Sequence, residues 1–151
     1  MSFSEADRQI FHEEVAKVFG DLVSSGFHQT GVELRHTAAL GEYLEVAVQD
    51  RKLERGVRID LTRTPDGRRD ALTVSLERGR TDTFTVSEFL QREGVNDDVI
   101  GQCKLSAYHG SLAERISRCL AFNRQQIDKH LRETLAGAEW PGVPMNWGDH
   151  K

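Results

Sequence analysis

Residues 57–77, VRIDLTRTPDGRRDALTVSLE, contain two runs in which every second side chain is apolar. Val57, Ile59 and Leu61 alternate with Arg58 and Asp60, and Leu72, Val74 and Leu76 alternate with Thr73, Ser75 and Glu77. A period of two sends one set of side chains to each side of a strand, so both runs predict strands with one buried and one polar face. Between them Pro65, Asp66 and Gly67 form a turn signal in which proline presets the first corner. An antiparallel pair follows.

The same alternation occurs upstream. In YLEVAVQ (43–49), Leu44, Val46 and Val48 share one face, and Tyr43, Glu45, Ala47 and Gln49 share the other. VELRH (32–36) places Val32 and Leu34 together. Gly41 and the segment DRKLERG (50–56) punctuate these runs. Sequential strands with short connections predict a four-stranded antiparallel meander.

Helices flank the strands. Ser4 and Asp7 form an approximate capping box ahead of a stripe of Ile10, Phe11, Val15, Val18, Phe19, Leu22 and Val23, with Gly26 as the stop. Thr85 and Glu88 open a short helix that runs through FLQRE to Gly94. The segment NDDVIGQCKL is a loop or a single helical turn. Ser111 and Glu114 open a long helix with the stripe Leu112, Ile116, Leu120, Ile127, Leu131 and Leu135, closed by Gly137. The expected fold is a single α+β domain over residues 1–139, a two-layer sandwich of N-terminal helix, four-stranded meander, and a short and a long C-terminal helix. Residues 140–151 form a tail in which Trp140 and Trp147 stand among prolines and glycines, expected to pack back on the domain.

Composition narrows the functional classes. The chain has 151 residues, 38% hydrophobic and 29% charged, ordinary globular values. No apolar run approaches the roughly 18 residues of a membrane span. The opening MSFSEADRQIFHEE lacks the basic and apolar regions of a signal peptide, which predicts a cytoplasmic protein with no membrane contact. Cys103 and Cys119 stand apart without paired-histidine or CxxC spacing, so buried reduced thiols are expected and zinc is not. Net charge is −4, but residues 1–50 hold 3 basic and 9 acidic side chains while residues 51–80 hold 9 basic and 5 acidic.

Catalytic patterns are weak. His12 is followed by Glu13, but Ala16 stands where a zinc-protease motif needs a second histidine. His109 lies near Ser111, which the capping box already explains, and no GxSxG elbow is present. Asp97 and Asp98 lack calcium-loop spacing, and the glycines form no nucleotide cradle, so no cofactor and no metal are expected. In the basic segment the arginines are interleaved with Asp60, Asp66, Asp70 and Glu77, and Tyr43 is the one aromatic on the polar face. Such mixed charge disfavours phosphate attraction and nucleic acid. It suits a protein interface, where arginine and tyrosine concentrate. The candidate partner-binding residues are Tyr43, Glu45, Arg58, Asp60, Arg68 and Arg69, with Arg58 and Asp60 orienting a partner and Arg68 and Arg69 steering from the rim.

The segment GEYLEVAVQDRKLERGVRIDL resembles a strand-turn-strand of small bacterial immunity-type proteins, those paired with secreted polymorphic toxins. The resemblance covers residues 1–95 in arrangement and 42–61 in residue detail. It implies a cytoplasmic protein that binds and blocks a cognate toxin or effector through charge complementarity, and it carries over no site residue. Type III secretion chaperones are a second resemblance, in size, acidity and helix-and-sheet composition, although they have strands after a second helix and this chain finishes with helices. A homodimer, a secretion-chaperone-like binding protein and a small enzyme using His109 remain the alternatives.

Overall fold

The first helix begins where its capping residues require. The Ser4 hydroxyl accepts from the Asp7 N–H and the Asp7 carboxylate accepts from the Ser4 N–H, both at 3.0 Å. This reciprocal pair opens α1 (Glu5–Ser24), and Gly26 follows its end at φ 103°. The computed structural model describes residues 3–38, 41–64, 69–79 and 81–142, so the Pro65–Gly67 turn signal, Arg68 and Trp147 lie outside the described residues.

The chain is α+β, an N-terminal helix followed by an antiparallel sheet and then helices. Six strands are found among the described residues rather than the four expected: β1 (His28–Gln29), β2 (Glu33–Thr37), β3 (Gly41–Asp50), β4 (Arg55–Arg63), β5 (Asp70–Arg78) and β6 (Asp82–Thr85). The two extra strands are too short to show alternation. β1 carries no apolar residue, and β6 carries one, Phe84, which is buried. The sheet order is β1-β3-β4-β5-β6, with β2 also pairing β3.

β1 and β2 together line one edge of β3. Gln29 lies opposite Val48 and Glu33 opposite Glu45, so residues 30–32 face only Val46 and Ala47. That extra residue is a bulge, and Thr30 spans it, its N–H donating to Ala47 O at 2.8 Å and its hydroxyl accepting from Ala47 N–H at 3.0 Å. Val32 packs against the core as expected, but its partner in that expectation, Leu34, is 41% exposed because, among the described residues, no strand pairs with β2 on its outer side.

After β6, the Thr85–Glu88 capping box opens α2 (Val86–Arg92), followed by the single turn α3 (Asp97–Gly101) and a 3-10 turn at Leu105–Ala107. The expected long helix is interrupted, giving α4 (Leu112–His130) and α5 (Arg132–Leu135) on either side of Leu131 at φ −128°. Ser111 caps α4 by accepting from Glu114 N–H, but its hydroxyl also donates to the Glu114 carboxylate, so only half of the expected box forms.

One hydrophobic cluster joins helices and sheet. α1 contributes Phe11, Val15 and Phe19, α4 contributes Ile116, Leu120 and Ile127, and both meet the apolar sides of β3, β4 and β5. Each such side chain contributes about 1.5–3 kcal/mol on burial. Arginines secure the margins. Arg124 of α4 grips Asp21 through two bonds of 2.8 Å and donates to Val18 O at 3.0 Å, tying the first helix to the last long one. Arg63 donates to Asp70 and to Asp7 and lies over the Phe3 ring, fastening the start of α1 to the sheet. Trp140 packs edge-on against Phe84 at 5.2 Å, with the Arg55 and Arg78 guanidinium groups over its ring.

Two glycines make opposite demands. A Cβ on buried Gly56 would stand 2.3 Å from Val48 O and 2.8 Å from Gln49 Cα, both immovable backbone of the adjoining strand. Gly20, inside α1, has nothing within 4 Å. Gly56→Ala is therefore expected to lower the thermal midpoint by several degrees, a loss of about 1–3 kcal/mol. Gly20→Ala is expected to raise stability by about 0.5–1 kcal/mol, since alanine has less backbone entropy to lose in a helix. Thermal melts of the two variants check both signs.

Candidate functional site

The polar residues of the sheet fall into rows set by strand register. Glu33, Glu45, Asp60 and Thr73 stand directly opposite one another across β2, β3, β4 and β5. On one side of this row lie Arg35, Tyr43, Thr62 and Ala71, and on the other lie Ala47, Arg58 and Ser75. Four of the sequence candidates, Tyr43, Glu45, Arg58 and Asp60, are thus brought together. Arg69 lies two polar-side rows beyond Asp60, opposite Thr64, and is exposed. Arg68 is outside the described residues.

The row is electrostatically unusual. Glu33, Glu45 and Asp60 are successive carboxylates, and like charges directly opposite each other destabilise a sheet. Arg35 contacts Glu33 and lies 3.8 Å from Glu45. Arg58 does more. Its Nε donates to Asp60 Oδ2 at 3.2 Å and its Nη1 donates to Glu77 Oε1 at 2.7 Å. Its guanidinium is therefore committed inside the chain rather than offered outward as the sequence suggested. Glu77, which the sequence reading left out of the site, belongs to it because the sheet twist and register bring β5 alongside Arg58.

The environment perturbs these groups in a consistent way. Burial raises Asp60 to about 6, against the attraction of Arg58, and repulsion from Glu45 and Glu77 adds to the rise. Burial likewise raises Glu77, with Arg58 opposing and Glu45 reinforcing. Burial works against the charge on Arg58, but Asp60, Glu77 and Glu45 outweigh it and hold the guanidinium above its ordinary value. One oxygen of the cluster, Asp60 Oδ1, is buried with no hydrogen-bond partner. The arrangement is an acidic cluster with its own internal counter-ion, in which Glu33 and Glu45 are more exposed than Asp60 and Glu77.

A second feature lies beyond Asp60 along β5. A cavity of about 520 Å³ runs beside residues 70–74, walled by Ser87 of α2 and by Lys104, Leu105 and Ser106 around the 3-10 turn. Cys103 and Asn123 line its inner wall. Asn123 donates to the carbonyls of Cys103 and Cys119, and both cysteines are free and buried. Burial pushes the Cys119 thiol up to about 12, so it is an unreactive thiol rather than a nucleophile.

The remaining sequence candidates are quickly placed. His109 is exposed in the turn before α4, and neighbouring Ser111 is occupied as the helix cap. Among the described residues, no group of three His, Cys, Asp or Glu side chains is gathered as metal ligands. No described helix is long and apolar enough to cross a membrane.

Asp60 gives the site a pH signature. The folded chain holds its proton up to about pH 6, whereas the unfolded chain releases it near 3.8. Proton binding at Asp60 therefore favours the folded state at low pH, and that contribution is lost as pH rises through this window. Asp60→Asn removes the loss, so the variant is expected to gain stability relative to the parent between pH about 4 and about 7. Thermal melts across that range, with a carboxyl NMR titration of Asp60, provide the measurement; parallel pH profiles would contradict it. Comparison with known protein families, curated proteins and solved structures finds no match to this chain.

Proposed function

We propose that the chain is a non-catalytic protein-binding module whose contact surface is the polar side of β3, β4 and β5, most concretely an immunity-type inhibitor that neutralises a cognate bacterial toxin in the cytoplasm. The observation that carries the binding reading is the Glu33–Glu45–Asp60 row, with the unpartnered Asp60 Oδ1 at its centre. Four carboxylates, Glu33, Glu45, Asp60 and Glu77, surround two arginines, Arg35 and Arg58. A lysine or arginine from a partner, meeting Glu33 and Glu45 where they reach the surface, would relieve the repulsion. Tyr43, half-buried in the adjoining row, adds rigid contact area. Arg58 then acts by holding Asp60 and Glu77 in place, and the acidic groups meet the partner. The toxin as partner rests on the resemblance of residues 42–61 to immunity-type proteins, for which charge complementarity gives fast and selective association.

The test is a pull-down with the tagged chain from lysate of the source organism at low and high salt, followed by expression of the retained protein alone and together with this chain. The reading requires one protein in fixed ratio, released by salt, toxic alone and harmless in the pair. Glu45→Lys should weaken the complex by about tenfold or more with little change in thermal midpoint. Affinity should also fall as pH drops through about 6, where Asp60 takes up its proton. A partner that binds Glu45→Lys as well as the parent would remove the sheet face from the site. A retained protein without toxicity would remove the immunity role, and retention of only a second copy of this chain would make the face a dimer contact.

A further inference from the structure

β2 stands at one edge of the sheet with almost all of its side chains in solvent. Glu33, Leu34, Arg35 and His36 are all exposed, and Leu34 is a large apolar side chain left at the surface. The register shows which of its backbone groups are free. Thr30 N–H donates to Ala47 O, so the backbone of Ala47 is turned toward this edge. Backbone direction alternates along a strand, and β3 pairs with β4 without a break, so Tyr43 and Glu45 turn the same way as Ala47. They bond to Arg35 and Glu33, which stand opposite them. Leu34 and His36 therefore point their N–H and C=O groups away from the sheet. Among the described residues, β2 pairs only with β3, and no backbone group on the outer side bonds to Leu34 or His36.

Charged side chains usually guard such an edge against strand addition. Here the charges at positions 33 and 35 are of opposite sign on the same side of the strand, and that spacing matches the strand's own reverse. Two copies of β2 laid antiparallel about a two-fold axis must set outward-turned residues against each other. Leu34 of one copy then meets Val32, Leu34 or His36 of the other. Against Val32, Glu33 faces Glu33, and against His36, Arg35 faces Arg35. Against Leu34, each Glu33 faces an Arg35. Like charges directly opposite destabilise a sheet and opposite charges stabilise it, so the register centred on Leu34 is the one selected. Its Glu33–Arg35 pairs fall where no backbone bonds are exchanged, the positions at which facing side chains come closest.

We propose that β2 is a homodimer contact, in which two copies of this chain join edge to edge about a two-fold axis at Leu34, with Glu33 of each copy paired to Arg35 of the other. The two sheets then run on as one. The leucines meet on the side of the sheet that carries Leu44, and Arg35 of the second copy stands at the end of the Glu33–Glu45–Asp60 row. Two-fold pairing closes on itself, so the edge is used up and no third copy is recruited there. The contact needs no toxin and is independent of the sheet-face reading. Pairing along one short strand is a small interface, which sets an expected dissociation constant on the order of 10 µM.

The test is sedimentation velocity of the purified full chain, expected to show monomer at about 1 µM and dimer at about 200 µM. Glu33→Arg and Arg35→Glu should each weaken the dimer at least about tenfold with the thermal midpoint little changed, because one then meets only arginine across the axis and the other only glutamate. Mixed in equal amounts, the two variants should recover the parental affinity as a one-to-one dimer. The double variant, Glu33→Arg with Arg35→Glu, should dimerise like the parent. Amide hydrogen exchange at Leu34 and His36 should slow as the parent is concentrated, while Glu33 and Arg35, already bonded to β3, should change little. A parent that stays monomeric at about 200 µM overturns the proposal. So does a dimer unaffected by either single reversal, or folded variants that fail to pair when mixed. A dimer through the sheet face would leave the Leu34 and His36 amides exchanging freely, and that result would overturn it equally.

Discussion

Leu44, Val46 and Val48 of β3 lie opposite Leu61, Ile59 and Val57 of β4, and these in turn lie opposite Leu72, Val74 and Leu76 of β5. Burial of this three-by-three apolar grid beneath α1 and α4 is the constraint from which the remaining structure follows. Side chains alternate, so a slip of one residue in any strand would send its apolar set into water and its charged set into the core. The register is therefore held by many times the energy of any single surface contact. The polar side inherits that register without a choice. Glu45 faces Asp60 because Leu44 must face Leu61 and Val46 must face Ile59. A repulsive arrangement persists on one side of the sheet because the other side does not permit it to relax.

The acidic row depends on charge density, so its behaviour follows protonation and ionic strength. It shares a strand with the cavity: Thr73 of β5 stands in the row, and residues 70–74 of the same strand line the cavity wall.

The strands that carry the grid were legible because each offers three apolar residues at period two. The helix start at Ser4 was legible because its capping box is local. β6 was not, since one phenylalanine between threonines gives no period, and β1 offers none at all. The break at Leu131 carries neither proline nor glycine. The site was legible only as a face. Which residues stand opposite each other depends on the turn at residues 51–54, where Glu54 adopts φ 54° and its carbonyl accepts from Gly79 N–H, a conformation that no glycine announces. Without that register, Glu45 and Asp60 could not be paired, nor could Arg58 be seen to turn toward Glu77.

The grip of Arg124 on Asp21 and Val18 joins residues more than a hundred positions apart, and it has a consequence for the order in which the chain is made. During synthesis the meander emerges complete while α4 is still inside the ribosome, so its apolar grid has α1 alone for shelter. Until residue 124 is free to reach back, the nascent chain offers a greasy sheet to its neighbours. Chaperone dependence and aggregation in this protein should accordingly be decided in the interval before residue 124 leaves the ribosome.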